Sequence, residues 1–411
     1  MLSWQEKEGK PLSPMLAVLY AILLIVLWFW IDFKLGRKSH LKKAHHRDFP
    51  YRYSDISLFT DGIPLFEDMF AEIERAELHI HILFYIVKED HFSREFLGLL
   101  KKKADEGVQV RLLLDWMGSF KLKKTTIREI RKHNIHLSFC QVPKLPYLFY
   151  SSQERNHRKI AVIDGKTGYL GGFNIGKEYI NEDKKLSPWR DYHLKIIGEG
   201  VQDLQEEFLE DWFEATGRDF RKSGTFHSKP KKGKCRHRII PCEGISLEEK
   251  FTQLIRIAKE QIIIGTPYFI PSRLLLDELI KALRKGVKLT VIVPGKADHP
   301  FVKEASYTYF RKLIPEGAGI YHYQNGFYHP KVILIDHEMC DVGTSNFDKR
   351  SLFLNHELNC YIYDQDCISE IEAALIEDIS SSEKVELKSL TGFHPKRIFL
   401  ELAAAAISHF L

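Results

Sequence analysis

The chain has 411 residues, 44% of them hydrophobic and 12% aromatic, with 60 Lys+Arg against 55 Asp+Glu for a net charge of +5. That apolar content fills cores in two or three domains of about 150 residues and excludes general disorder, and so mild a basic excess does not by itself point to nucleic acid. Six cysteines (140, 235, 242, 340, 360 and 367) with no C-x-x-C pair exclude a disulfide-dense scaffold, a zinc ribbon and a thioredoxin-type site; Cys235 and Cys242 read as unpaired thiols, and the composition fits a reducing compartment.

In chain order the first element is apolar. Met15 to Ile31 is uninterrupted by polar residues (MLAVLYAILLIVLWFWI). As a helix, a run of this length covers roughly 25 Å, the short end of a bilayer span. Leu12 and Phe33 extend it, and Trp28 and Trp30 suit a headgroup interface. A cleaved signal peptide fits poorly. Glu6 and Glu8 balance Lys7 and Lys10, and no small-residue cleavage site follows, the run ending in Asp32, Phe33 and Lys34. Lys34, Arg37, Lys38, Lys42, Lys43 and Arg47 come next, which places the rest of the chain on the cytoplasmic side of a cell membrane and against anionic headgroups. Residues 1–48 are thus expected to be an anchor with a basic flank.

The remainder reads as a duplication. IERAELHIHILFY (73–85), a helical stretch to Lys103 and GVQVRLLLD (107–115) are echoed by IRIAKEQIIIGTPYF (255–269) and LLLDELIKALRKGVKLTVIVPG (274–295). Each copy reads as strand, amphipathic helix, Gly-Val, strand. Strands alternating with helices predict an α/β fold with a largely parallel sheet flanked by helices. The basic stretch HSKPKKGKCRHR (227–238) reads as an exposed linker. The expected division is 49–226 for the first lobe, 227–240 for the linker and 241–411 for the second lobe.

The repeat carries a motif. His157, Lys159, Asp164, Gly171 and Asn174 recur as His329, Lys331, Asp336, Gly343 and Asn346, a shared H-x-K-x4-D-x6-G-x2-N spacing offset by 172 residues throughout. One H-x-K-x4-D match is weak; two with the same extension, each on a strand-like run (IAVID, VILID), are specific. H-x-K on a strand places the imidazole and the ammonium on one face. An imidazole can attack phosphorus or carry a proton near neutral pH, and an ammonium can stabilise the equatorial oxygens. The two Asn amides add donors, so the pattern asks for no metal or other cofactor. Two copies facing across a pseudo-two-fold axis give a histidine on each side of one phosphate, as in-line displacement requires. Asp164 and Asp336 complete the candidate catalytic set, though their odd spacing from the lysines points them to the opposite strand face, where a structural role suits them. His79 and His81 alternate on one strand, and simple packing accounts for them.

The pattern resembles the phospholipase D superfamily over about residues 50 to 400. The closer likeness is to bacterial cardiolipin synthases, carried by RNHRKIAVIDGKTGYLGGFNIGKEYI (155–180), WRDYHLKIIG (189–198), TPYFIPS (266–272) and FYHPKVILIDHEMCDVGTSNFDKRSLFLNHELN (327–359). The resemblance implies two tandem phospholipase D-like lobes with the site between them. It implies a phosphatidyltransferase that joins two phosphatidylglycerols into cardiolipin and releases glycerol. It assigns His157 as the residue that forms a phosphohistidine and His329 as the acid and base, with the reverse order open. Asp191 and Glu357 fall where the family keeps the carboxylates that orient the histidine of the other half, Glu357 for His157 and Asp191 for His329. Asn174 and Asn346 would hold the phosphate. Many such synthases carry two amino-terminal spans, where one is found here.

Candidate lipid-facing stretches are KLPYLFY (144–150) and HPFVKEASYTYF (299–310), which mix aromatic and basic residues. RIFLELAAAAISHFL (397–411) reads as a helix packed on the domain. A hydrolase, or transfer to another alcohol, uses the same machinery. A nuclease shares the motif pair, but the anchor favours lipid over nucleic acid, and two complete motifs speak against a decayed, purely lipid-binding scaffold.

Overall fold

The computed structural model describes residues 13–44, 46–221, 224, 226, 231–296, 302–392 and 395–407. Two units are described separately: residues 1–44 with 143–153, and 45–142 with 154–411.

The first unit is built on a helix, Pro14–Lys43. It is capped by Ser13, whose hydroxyl accepts from Leu16 N at 3.3 Å. Its apolar run is exposed throughout, and the helix is long and apolar enough to cross a membrane. Thirty residues rise about 45 Å, more than the hydrocarbon core needs, so the helix continues through the basic flank. There it meets the short helix Leu148–Gln153. Phe29 packs on Phe149 with ring centroids 4.5 Å apart, and Asp32 Oδ1 accepts from Tyr150 N at 2.7 Å. Gly36 is required at this crossing, since a Cβ there would lie 2.4 Å from that of Tyr150. The stretch 144–150 is therefore packed, in part, against the foot of the apolar helix.

The second unit contains one 16-stranded sheet. From edge to edge it runs Ser382–Lys384, Gly319–Tyr323, Lys288–Pro294, Gln261–Gly265, Val332–Ile335, Met339–Gly343, Asn355–Ile362, Cys235–Glu243, Arg52–Phe59, His193–Gly198, Thr167–Gly171, Ile160–Ile163, His79–Phe84, Gln109–Asp115 and His136–Cys140. Read outward from the centre, the two halves repeat one order of strands, the second half adding Ser382–Lys384 at its edge. The pseudo-two-fold axis passes between Arg52–Phe59 and Cys235–Glu243, which pair antiparallel.

Two sequence expectations need correcting. The sheet is mixed, not largely parallel. Parallel pairing within it joins the outer strands of each lobe (79–84 with 109–115 and 136–140; 261–265 with 288–294 and 319–323) and one short bridging strand. The motif strands Ile160–Ile163 and Val332–Ile335 turn tightly into Thr167–Gly171 and Met339–Gly343, and a tight turn enforces antiparallel pairing. The basic linker is also shorter than read. Cys235–Glu243 is a central strand, with Cys235, His237 and Ile239 buried on one face. Arg236 and Arg238 reach the ring of Tyr51 at 4.2 and 5.8 Å. Residues 227–230 lie outside the described set.

Helices cover both faces. One core spans the two lobes beneath the helices Gly200–Thr216 and Gln365–Ser380, and a separate core fills the other face of each lobe. The helix Pro395–Ile407 packs on Val302–Leu313, with Arg311 paired to Glu401 and Ala404 buried beside Ala305. Residues 299–301 and 408–411 are outside the described set.

Candidate active site

Each lobe lends a short segment to the other just before its motif histidine. Arg155–Asn156 pairs parallel with Asn355 and His356, and His157 N donates to His356 O at 2.9 Å. Phe327–Tyr328 pairs parallel with Trp189–Arg190, and His329 N donates to Arg190 O at 2.7 Å. Backbone pairing thus delivers each imidazole to a carboxylate that follows in the opposite lobe's chain.

The two pairs are crossed. His157 Nδ1 lies 3.0 and 3.1 Å from the Glu357 oxygens and 3.1 Å from Thr344 O. His329 Nδ1 lies 2.5 Å from Asp191 Oδ2. With Nδ1 so engaged, Nε2 of His157 is left as the reactive nitrogen. Glu357 is held in turn by Thr344 Oγ1 at 2.6 Å, Ser351 Oγ at 2.9 Å and Asn355 Nδ2 at 3.1 Å. Asp191 Oδ1 accepts from Tyr192 N at 2.8 Å. Glycine makes room for Asp191: a Cβ on Gly172 would fall 2.0 to 2.4 Å from its carboxylate.

Both lysines are buried beside their histidines. Lys159 Nζ donates to His157 O at 2.6 Å. Lys331 Nζ lies 2.5 Å from His329 Nδ1 and 3.6 Å from Asp191 Oδ2. Tyr85 sets its ring edge-on to His157 at 5.0 Å, and Trp189 and Tyr268 flank His329 at 5.0 and 6.4 Å.

The electrostatics follow from burial and mutual charge. Burial pushes Lys159 down to about 7; Glu357 resists this and Lys331 adds to it. Burial also lowers His157, against the pull of Glu357. Burial pushes Glu357 and Asp191 up, but His157 acting on the first, and Lys331 and His329 on the second, leave both carboxyls below their usual range. The site therefore favours ionised carboxylates and a neutral imidazole at His157.

Two members of the expected catalytic set are elsewhere. Asp164 accepts the backbone N–H groups of Glu77, Leu78 and His79 at 2.8 to 2.9 Å. Asp336 accepts those of Lys259, Glu260 and Gln261 at 2.6 to 2.8 Å. Both adopt positive φ, 51° and 50°. The x4 spacing carries them past the end of the motif strand into its turn, where they tie down the start of the neighbouring strand. Among the described residues neither bonds to His157, Lys159, His329 or Lys331; both hold backbone in the turn, the structural role their odd spacing suited. Asn174 Oδ1 accepts from Ile86 N at 3.1 Å and its Nδ2 donates to Tyr179 Oη at 3.2 Å; Asn346 Nδ2 donates to Asp348 Oδ2 at 3.1 Å. Each amide nitrogen keeps a second hydrogen for an incoming oxygen. His79 and His81 share Gln205 and lie against Phe226 in the core.

Sequence reasoning missed Arg158, the middle residue of the first H-x-K. It is fully buried, bridges Glu207 at 2.7 Å and Asp211 at 2.6 Å, and donates to Glu357 O at 3.2 Å. Its counterpart is Pro330, so the repeat gave no signal for it.

A family model described as cardiolipin synthase, PLD-like domain, matches residues 69–212 and 251–379. The chain belongs to this family. It is 41% identical over 402 residues to the minor cardiolipin synthase ClsB of Bacillus subtilis (strain 168), spanning 96% of this chain and 100% of that protein. It is 39% identical over 338 residues to cardiolipin synthase 2 of Staphylococcus epidermidis, 81% of this chain and 69% of that one. Among solved structures, the phosphatidylserine synthase of Haemophilus influenzae Rd KW20 aligns over 92% of this chain and 99% of its own with a TM-score of 0.72. At 15% identity that likeness speaks for the fold alone, the two-lobed sheet already described. Within the cardiolipin synthase family the two H-x-K motifs fall inside the matched segments, one in each.

Proposed function

We propose that this protein is a membrane-associated phosphatidyltransferase that joins two phosphatidylglycerols into cardiolipin and releases glycerol. The crossed His157–Glu357 and His329–Asp191 pairs carry this reading, together with the family. His157 Nε2 attacks the donor's phosphorus as the bond to its headgroup glycerol breaks, and His329 gives that glycerol a proton. The primary hydroxyl of a second phosphatidylglycerol then attacks the phosphohistidine, passes its proton to His329 and frees His157. Microscopic reversibility makes one residue serve both as acid and as base. A neutral His157 suits the nucleophile, and a charged Asp191 suits a histidine that must hold a proton. Lys159, Lys331 and the amides of Asn174 and Asn346 supply positive charge and donors to the phosphoryl oxygens.

In this reading the apolar helix Pro14–Lys43 is the anchor and the lobes, 49–226 and 241–411, are cytoplasmic against anionic lipid; the length of the helix and the Lys/Arg excess that follows its apolar run support it. Phospholipid, not nucleic acid, is the substrate.

Full-length protein in detergent, given phosphatidylglycerol alone, should yield cardiolipin and glycerol one to one by mass spectrometry and a glycerol assay. Phosphatidic acid without cardiolipin would replace this reading with a hydrolase.

A further inference from the structure

One loop beside the site holds aromatic rings out to solvent. Residues 116–123 join the end of the strand Gln109–Asp115 to the helix Lys124–Lys132. Within them Trp116 is 37% exposed and Phe120 60%, while Ser119 and Leu122 are buried. Singly exposed apolar residues are ordinary on a protein surface. Bracing, charge and position set this pair apart.

The loop is braced from within. Trp116 N donates to Cys140 O at 3.0 Å, and Gly118 N to Asp115 Oδ1 at 2.8 Å. Ser119 Oγ accepts from Val87 N at 3.1 Å and donates to Tyr85 O at 3.2 Å, and Leu122 joins the core of the first lobe. Rings carried on a fixed backbone lose little conformational freedom when they are covered.

Between Asp115 and Glu129 the chain carries Lys121, Lys123, Lys124 and Arg128, all exposed, and no acidic residue. The Lys121 ammonium lies 5.7 Å from the centre of the Phe120 ring. Glu89 does reach this stretch, but it accepts from Lys123 N and Thr126 Oγ1 at 2.9 to 3.1 Å, at the start of the helix. Exposed rings set among ammonium groups match the boundary between acyl chains and anionic headgroups.

The loop also backs onto the site. A Cβ on Gly118 would lie 2.1 Å from Tyr85 O. The Tyr85 ring stands edge-on to His157 at 5.0 Å, with the Lys159 ammonium 5.4 Å from its centre. Asp115 Oδ2 accepts at 2.9 Å from the N–H of Asn156, the residue before His157.

We propose that the loop 116–124 docks on an anionic phospholipid bilayer, with Trp116 and Phe120 entering the headgroup boundary and Lys121, Lys123 and Lys124 meeting phosphates. Docked there, it holds the His157 side of the site at the surface from which lipid is drawn. This deepens the lipid reading of the site and rests on it, and it is a contact separate from the apolar helix.

The first readout needs no turnover. Full-length protein is placed in vesicles of phosphatidylcholine and phosphatidylglycerol that carry a nitroxide-labelled lipid. A fluorophore is attached through Phe120→Cys or, as the control, through Glu77→Cys at the opposite end of the strand that leads to Tyr85, and labelling of the parent thiols is subtracted. The label at 120 should be quenched and the label at 77 should not. Quenching at 120 should fall when phosphatidylglycerol is left out, and when Lys121→Gln, Lys123→Gln and Lys124→Gln are added. Equal quenching at the two positions would overturn the proposal and leave the rings to a protein partner. In the lipid assay, Trp116→Ser with Phe120→Ser should slow cardiolipin formation from vesicles about tenfold or more, chiefly through KM, and keep turnover of dihexanoyl-phosphatidylglycerol below its micellar concentration within about twofold. An equal loss on both substrates would overturn the docking role. Quenching at 120 in a parent protein that makes no cardiolipin would keep the docking surface and sink the reaction instead.

Discussion

Replacing Glu357 with Gln keeps the shape of the side chain and removes its charge. Glu357 is fully buried and accepts from His157 Nδ1, Thr344 Oγ1, Ser351 Oγ and Asn355 Nδ2. An amide can accept at one end only, so either Thr344 and one His157 contact, or Ser351, Asn355 and the other His157 contact, must face an NH2 group. The pair then no longer fixes the His157 tautomer. Losing that orientation, with the charge that opposes the burial of His157 and Lys159, should cost between about 10² and 10⁴ in kcat, roughly 3–5 kcal/mol. The direction in pH is fixed as well. Glu357 raises His157 against burial, so its loss lowers His157 further and moves the acid limb of the rate profile to lower pH. The assay is cardiolipin formation from phosphatidylglycerol across pH 5 to 9, with melting followed in parallel, because breaking a buried pair costs about 3–5 kcal/mol of stability. A folded Glu357→Gln protein with kcat within threefold of the parent would refute the crossed-pair account.

Gly172→Ala should push the Asp191 carboxylate off His329, since the new Cβ would sit 2.0 to 2.4 Å from it; turnover should fall about 10²-fold, read in the same lipid assay. Asp164→Asn tolerates the positive φ but loses an acceptor for Glu77 or Leu78 and His79, so thermal or denaturant unfolding should show roughly 1–2 kcal/mol of lost stability, with turnover per folded molecule within twofold. Burial pushes Lys159 down to about 7, close enough to neutrality for a nearby charge to change its protonation. A bound phosphate should raise it and draw in a proton, detected by calorimetry in buffers of different ionisation heat and abolished in Lys159→Met.

The chemistry was more legible than the architecture. Two equal H-x-K-x4-D spacings located the repeat, and the carboxylates Asp191 and Glu357 lie where the family resemblance put them, each on the histidine of the other lobe. The supports of Glu357 were not legible. Thr344, Ser351 and Asn355 reach it from separate positions along the chain, and no spacing rule links a hydroxyl to a carboxylate across a strand and a short helix. Cys235–Glu243 was obscured because composition was read before alternation: C-R-H-R-I is a strand pattern written in linker residues. Asp164 and Asp336 show the limit of motif reading. They recur with the H-x-K residues because the same turn recurs, and their oxygens are occupied by backbone.

The most direct test of the central claim is to trap the intermediate. Full-length protein mixed with phosphatidylglycerol labelled at phosphorus is quenched in base, which preserves phosphohistidine, then digested and mapped by mass spectrometry. The account predicts phosphatidyl label on His157. Label on His329 would reverse the two roles, and turnover to cardiolipin with no label on either histidine would contradict the two-step transfer.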